Sequence, residues 1–455
     1  MTFTSLNPHD PADVIGEWEP AAGEDIAATV DRAKAAAREW AAAPAATRSR
    51  ALSDAAGALA FRAGEVTELA IREVGKPRTE ATGEVARGIA ILRYYAQLAL
   101  LPDGETFPGA SQDTLLMVRR RPVGVTALLT PWNFPVAIPL WKAAPSLAFG
   151  NATVLKPSST AAGVALLLHE IIAQHLPPDV FQVVLGGAAP AQALVDHVDV
   201  AAVSFTGSVP VGQDVVRRVA SHGGRVQAEM GGQNAAIVLA DADYSRAAAD
   251  IAYAAMGYAG QKCTATSRII VEEAAYAQFR GHLVAAIDAL GVLDPGDSET
   301  MVGPVISEPA RASALDAIAG SGGRVLAGGA ALDAPGFYVA PTLVELDSPT
   351  GPLATEEVFA PVAAVIRAPS AEAATEIANS VRFGLVASVF TRDLAHALRM
   401  ADRLEAGLVR VNAPTSGVDY HAPFGGVKDS SYGPREQGTA ARDFYTETRT
   451  ITIVP

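Results

Sequence analysis

The stretch GYAGQKCTATSR, residues 257–268, contains the only cysteine of the 455-residue chain. A lone Cys has two readings. One is a small buried hydrophobe. The other is a nucleophile, which needs a thiolate and so a base or a positive field nearby. Two other segments carry groups suited to the second reading. In TPWNFPVAIPLWK (130–142), Asn133 lies in a rigid, apolar turn region. Its amide N–H could stabilise a developing oxyanion, or satisfy local backbone groups as turn Asn residues do. In VQAEMGGQNAAIV (226–238), Glu229 ends an apolar strand just before Gly231-Gly232. A carboxylate partly desolvated there has a raised pKa and can act as a general base. The alternative is a surface Glu at a strand end.

Three further segments could hold a phosphorylated ligand. SFTGSVPVG (204–212) reads as strand, glycine turn and helix start, with Ser208 able to cap the helix and Pro210 suited to its first turn. Free N–H groups at such a start bind phosphate, although the glycine spacing is not that of the usual dinucleotide fingerprint. VLKPSST (154–160) ends a strand at Lys156, on the side where open parallel sheets bind ligands. TEEVFAPV (355–362) offers Glu356 and Glu357 for ribose hydroxyls. Read one by one, these are also ordinary solvated charges and turns.

The elements that must position these residues follow from hydrophobic periodicity. Residues 24–74 and the stretch EATGEVARGIAILRYYAQLAL read as amphipathic helices. From VTALLT onward, strand and helix signals alternate, which predicts an α/β chain with parallel sheets flanked by helices. A second alternating block follows Gly231-Gly232, which reads as a hinge. LLMVRRRPV and the terminal TRTITIVP are strand-like and lie outside both blocks. With 35 Lys plus Arg against 49 Asp plus Glu, net charge −14, the chain lacks the basic footprint of a nucleic-acid or anionic-membrane partner. One Cys excludes an intramolecular disulfide and suits a reducing compartment. Neither a signal peptide nor an apolar span is evident. The expected location is cytoplasmic, and no metal site is expected.

Taken in order, PWNFP, FTGS, EMGG, GQKC, EEVFAPV and PFGGVK make the chain resemble the aldehyde dehydrogenase superfamily along nearly its whole length. The resemblance implies a fold with a Rossmann-like cofactor domain (1–106 and 124–230), an α/β catalytic domain (231–411), a β oligomerisation arm (107–123 and 443–455), and a return of 412–442 to the cofactor domain. It implies that Cys263 attacks the aldehyde to form a thiohemiacetal and then a thioester, that Asn133 stabilises the oxyanion, and that Glu229 activates the hydrolytic water. It assigns NADP or NAD to Trp132, Lys156, Ser158, Ser159, Thr206, Gly207, Ser208, Gly231, Glu357 and Phe359. Many members carry a Glu where this chain has Ser159. Without that carboxylate a 2′-phosphate meets no repulsion while Lys156 remains to pair with it, so NADP is favoured.

The substrate expectation rests on the same likeness. Residues 411–438 and GQKCTATSR look most like the branch that oxidises 2-oxoglutarate semialdehyde to 2-oxoglutarate. The resemblance puts Trp141 and Ile138 on the entry tunnel. No arginine stands out in the sequence to hold a distal carboxylate, and Ser416 and His421 are candidates for it. Other semialdehydes, or aliphatic and aromatic aldehydes, are the alternatives. So is a CoA-acylating dehydrogenase, although such relatives generally lack the base that Glu229 supplies here. A structural protein that has lost the nucleophile and a cofactor-free thiol hydrolase fit less well. The family's arm implies a homodimer or homotetramer.

Overall fold

The computed structural model describes residues 2–454, so the expected limits at Met1 and Pro455 lie outside the described residues. The alternating segments build two mainly parallel sheets. In the first, strand Val125–Thr130 is central. Ala152–Pro157 and then Phe181–Val183 lie on one side, Val200–Thr206 and Arg225–Glu229 on the other. The chain thus steps outward, returns past its first strand and continues, which opens a crevice beyond the carboxyl ends of Val125–Thr130 and Val200–Thr206. Every residue of Val125–Thr130 is buried, as a strand covered on both faces requires.

The second sheet runs, edge to edge, Arg324–Ala327, Thr342–Leu346, Val362–Ala368, Thr266–Glu272, Asn234–Val238, Val386–Phe390 and Leu408–Val411. Only the pairing of Arg324–Ala327 with Thr342–Leu346 is antiparallel. Gly231-Gly232 lies between Arg225–Glu229 of the first sheet and Asn234–Val238 of the second. The carboxyl end of one sheet therefore hands the chain to the amino end of the other, and the site forms along that seam.

Four helices, Gly23–Ala42, Ala45–Phe61, Ala63–Val74 and Arg78–Leu98, precede the first sheet. Pro44 and Pro77 stand at the N-caps of the second and fourth, and Gly75, at φ 64°, ends the third. Their Ala-rich faces pack closely: Trp40 is buried, and its indole N–H donates to the Leu147 carbonyl at 2.9 Å.

Strand Leu115–Pro122 ends at its proline and pairs antiparallel with Thr446–Ile453 and Gly104–Phe107 in a separate sheet. This three-stranded unit takes in residues 104–106, upstream of the expected start at 107. Residues 443–445 belong instead to the short helix Ala441–Tyr445. Ser431–Tyr432 adds to the edge of the first sheet beside Arg225–Glu229. The amino-terminal hairpin, Phe3–Leu6 with Val14–Trp18, has no counterpart in the sequence reading. Among the described residues no helix is long and apolar enough to cross a membrane, and no cluster of three or more His, Cys, Asp or Glu could hold a metal ion.

Candidate active site

Cys263 stands just before strand Thr266–Glu272, and its approach explains the preceding letters of the motif. Tyr258 and Ala259 take left-handed backbone angles, φ 55° and 52°. Gly260, at φ +66°, leaves no room for a side chain, because a Cβ would meet the Ala360 carbonyl oxygen at 2.2 Å. Gln261 is buried and works as a staple: its amide donates to the Pro304 carbonyl at 3.2 Å and accepts from the Ile306 N–H at 2.8 Å. Lys262 pairs with Glu80 at 2.5 Å. Beyond the thiol, Asn234 donates to the carbonyls of Cys263 and Ala265, both at 2.8 Å. Thr415 donates to the Thr264 carbonyl at 2.7 Å. The half-buried thiol is thus carried on backbone fixed from both sides and lies on a cavity wall.

The thiol opens on a cavity of about 390 Å³, with Phe134, Trp141, Tyr253, Met301 and Phe424 among its walls. Burial, followed by the negative charges of Glu357 and Glu229, pushes the Cys263 thiol up to about 12. In the free chain the protonated thiol is therefore the favoured form. Asn133 is buried, and one of its amide hydrogens goes to the Gln261 carbonyl at 2.8 Å. The second amide hydrogen has no partner among the described residues.

Glu229 ends its strand as expected and is buried. It does not line the cavity of Cys263. Its carboxylate accepts from the Ser431 hydroxyl at 2.5 Å, across the register that pairs these two residues. A Cβ on Gly425 would fall 2.6 Å from its other oxygen. Burial first, then the nearby Glu436, push the Glu229 carboxyl well above its usual range, with Ser431, Lys142 and Arg435 opposing. Glu436 is buried and ion-paired with Lys142, itself buried, and it accepts from the Trp141 indole at 2.7 Å. Lys142 also donates to Ser204 at 2.7 Å.

The residues around the crevice suit a dinucleotide. Thr206 ends strand Val200–Thr206 with a buried hydroxyl that has no partner among the described residues. A Cβ on Gly207 would strike the Phe205 ring at 2.6 Å, so the backbone there stays bare. Ser208 stands at the N-cap of helix Val209–Ser221 and Pro210 in its first turn, but the Ser208 hydroxyl makes no capping bond. The orphan N–H groups of that first turn are left facing the crevice end of the sheet. Burial alone pushes the Lys156 ammonium down to about 8, with no acidic partner among the described residues to offset it. Ser158 is occupied locally, accepting from the Thr160 N–H at 3.4 Å, and Ser159 opens a short 3-10 turn.

Glu357 is pushed up to about 7 by burial and accepts from the Gly232 N–H at 3.1 Å. A Cβ on Gly231 would lie 2.0 Å from its carboxylate, so only glycine lets Glu357 approach the seam. Phe359, at φ 57°, meets Trp132 edge to face at 5.8 Å. Glu356, the other acidic candidate, turns outward to Arg382 at 2.9 Å.

Of the expected substrate contacts, Trp141 and Ser416 line the cavity. Ile138 is buried in the core, and Ala137 takes the wall position beside Phe134 and Trp141. His421 is exposed, its ring edge-on to Tyr420, and is not a wall residue. Lys142, Ser431 and Glu436 were not singled out from sequence. A Lys within an otherwise apolar helix, PLWKAAP, is the one signal that could have flagged any of them.

The description of the aldehyde dehydrogenase family matches residues 1–451 of the chain. An alpha-ketoglutaric semialdehyde dehydrogenase of Bacillus subtilis (strain 168) is 40% identical over 458 aligned residues, covering 99% of this chain and 94% of that protein. An alpha-ketoglutarate semialdehyde dehydrogenase of Haloferax volcanii is 41% identical over 460, covering 99% and 95%. Among solved structures, PnpE in complex with nicotinamide adenine dinucleotide superimposes with a TM-score of 0.96 at 36% identity, over 100% of this chain and 94% of that one. The chain belongs to the aldehyde dehydrogenase family.

Proposed function

With membership of that family as the premise, we propose that the chain oxidises 2-oxoglutarate semialdehyde (2,5-dioxopentanoate) to 2-oxoglutarate by way of Cys263, with hydrolytic release and with NADP preferred over NAD. The observation that carries the reading is the thiol of Cys263, held on fixed backbone at the wall of a cavity lined by Phe134, Trp141 and Phe424, with Asn133 bonded to the Gln261 carbonyl and the charge of Glu229 acting on the thiol. The named activity of relatives 40 and 41% identical over 99% of the chain supports the substrate.

The residues divide the work as follows. The Cys263 thiol passes its proton to a solvent water, and Sγ bonds to the aldehyde carbon as the C=O π bond opens. The carbonyl oxygen takes the negative charge and accepts from the free amide hydrogen of Asn133 and the backbone N–H of Cys263. The dinucleotide, when bound, would supply the oxidising chemistry as the acceptor of the hydride lost from that carbon. This leaves a thioester on Cys263. Glu229, once deprotonated, takes a proton from water while the water oxygen adds to the thioester carbon, and the C–S bond then breaks to return the Cys263 thiolate. Phe134, Trp141 and Phe424 line the cavity with apolar surface, which limits water around the thioester.

Three features support NADP: Lys156 has no acidic partner, Ser159 stands where many members have Glu, and the crevice has free N–H groups. The sheet of Gly104–Phe107, Leu115–Pro122 and Thr446–Ile453 supports assembly into a homodimer or homotetramer. It leaves Phe107, Leu115 and Ile453 between 44 and 50% exposed, and an open strand edge beside apolar surface favours pairing with a second copy.

The deciding experiment is a panel of kcat/KM values with NADP and NAD for 2-oxoglutarate semialdehyde, pentanal and benzaldehyde. The keto-acid semialdehyde is expected to lead by at least tenfold, with NADP. A lead by benzaldehyde would favour the aromatic-aldehyde alternative, which the Phe134, Trp141 and Phe424 walls would suit.

A further inference from the structure

Helix Arg78–Leu98 carries Glu80, Glu84 and Arg87 at i, i+4 and i+7, one face of a helix, and all three line the cavity of Cys263. The two carboxylates are matched: Glu80 pairs with Lys262 and Glu84 with Lys76. Arg87 is not. Among the described residues it makes neither an ion pair nor a side-chain hydrogen bond, although it is only partly exposed. A second guanidinium approaches from strand Leu408–Val411, where Arg410 donates to the carbonyl of Gly417, another wall residue.

The charges of the two arginines act on one another. Burial lowers the pKa of Arg410; Asp419, an exposed residue, opposes the shift and Arg87 adds to it. Arg87 also acts on the Tyr253 hydroxyl, which is bonded to Glu80 at 2.8 Å on the cavity wall. On a molecule of net charge −14, a guanidinium on the cavity wall without an acidic partner, whose charge acts on a second arginine, is a site that an anion can complete.

We propose that Arg87, assisted by Arg410, binds the carboxylate at the far end of the aldehyde substrate and so selects short acid semialdehydes over neutral aldehydes. The proposal rests on the acid-semialdehyde reading above and names the group that reading requires. In this assignment Arg87 is a specificity residue that holds the distal carboxylate and takes no part in the chemistry at the reacting carbon. Its loss should raise KM and spare kcat.

The test is steady-state kinetics of the full-length enzyme, Arg87→Leu, Arg87→Lys and Arg410→Gln, each with 2-oxoglutarate semialdehyde and with pentanal, which has the same five carbons and no charge. Arg87→Leu is expected to lower kcat/KM for the acid by roughly 100-fold, mostly through KM, the scale of a lost charge-assisted contact. Its pentanal turnover should stay within about threefold of wild type, which also shows that the variant folds. Arg87→Lys should recover part of the loss, and Arg410→Gln should lose about tenfold on the acid alone. Equal losses on both substrates would assign Arg87 a structural role and overturn the proposal. An Arg87→Leu enzyme that keeps the wild-type preference for the acid would overturn it while leaving the substrate reading intact. A wild-type enzyme with no preference for the acid over pentanal would defeat the substrate reading and this assignment with it.

Discussion

The two sides of the catalytic seam handle buried charge differently. Behind Cys263, two cations and two anions are matched one to one, Lys262 with Glu80 and Lys76 with Glu84. The matched set also fixes position. Glu84 accepts from the N–H groups of Val136 and Ala137, both at 2.8 Å, and Lys76 sits 3.8 Å from the centre of the Phe134 ring. Behind Glu229, two buried carboxylates, Glu229 and Glu436, face one buried lysine, Lys142, and Arg435 is spent in part on the Gly426 carbonyl. A matched set is satisfied at one protonation state and holds geometry. An unmatched set is one proton away from balance, which suits a group that must take up and release protons.

The largest effect should come from removing the thiol. Cys263→Ala is expected to abolish aldehyde oxidation while cofactor binding, followed by fluorescence titration, persists. No second cysteine exists to substitute, so residual turnover would sink the mechanism.

Next comes the unmatched side. In Glu229→Gln the first-turnover burst should survive, while steady turnover falls by roughly two to four decades, the range for a general base. The sign of the pH dependence follows from the upward shift of Glu229. The base works only when ionised, so deacylation in the wild type should rise with pH through that elevated pKa, and the limb should vanish in the Gln variant. Loss of burst and steady state together would place Glu229 earlier in the reaction.

The comparison itself can be broken with two lysines. Lys142→Met and Lys76→Met each leave a buried carboxylate without its partner, and each should cost about 3–5 kcal/mol in stability. Only Lys142→Met should also move the deacylation limb to higher pH, because Lys142 counteracts the upward shift of Glu229. A shift of equal size in Lys76→Met would erase the distinction between the two sides. Urea melts and pH–rate profiles on both variants decide it.

The smallest effect on chemistry should come from Ser159→Glu, which touches neither side. Preference should move toward NAD, since a carboxylate can bind a 2′-hydroxyl but repels a 2′-phosphate, with kcat on the preferred cofactor nearly unchanged. An unchanged ratio of kcat/KM values would show that position 159 does not read the ribose.

How much of this was legible in the chain depended on whether the signal was local. Strand ends, glycine turns and the lone Cys are written in adjacent letters, and the ordered motifs led to Cys263, Asn133, Lys156 and Glu357. The two sheets were legible as alternation, although their strand order was not. Glu436 was illegible because in GPREQG it looks like any charged turn, and its burial depends on Trp141 and Lys142 some 294 to 295 positions away. Arg87 was hidden among surface-like helix charges until its face met the cavity. Ile138 was a matter of helical phase: Phe134, Ala137 and Trp141 share a face toward the cavity, and residue 138 is turned about 100° from 137. The short hairpin Phe3–Leu6 with Val14–Trp18 pairs too few residues to show a period.

A single cysteine on the cavity wall also governs how this protein meets oxidants. Should Cys263 be oxidised to a sulfenic acid, no neighbouring thiol in the chain can condense with it. Repair must come from a small external thiol that can enter a cavity of about 390 Å³, and otherwise the ladder leads on to irreversible sulfinic acid. The same arithmetic makes the protein its own standard: thiol titrated per chain in denaturant counts active sites directly, and the shortfall below one thiol per chain measures the fraction that oxidation has already silenced.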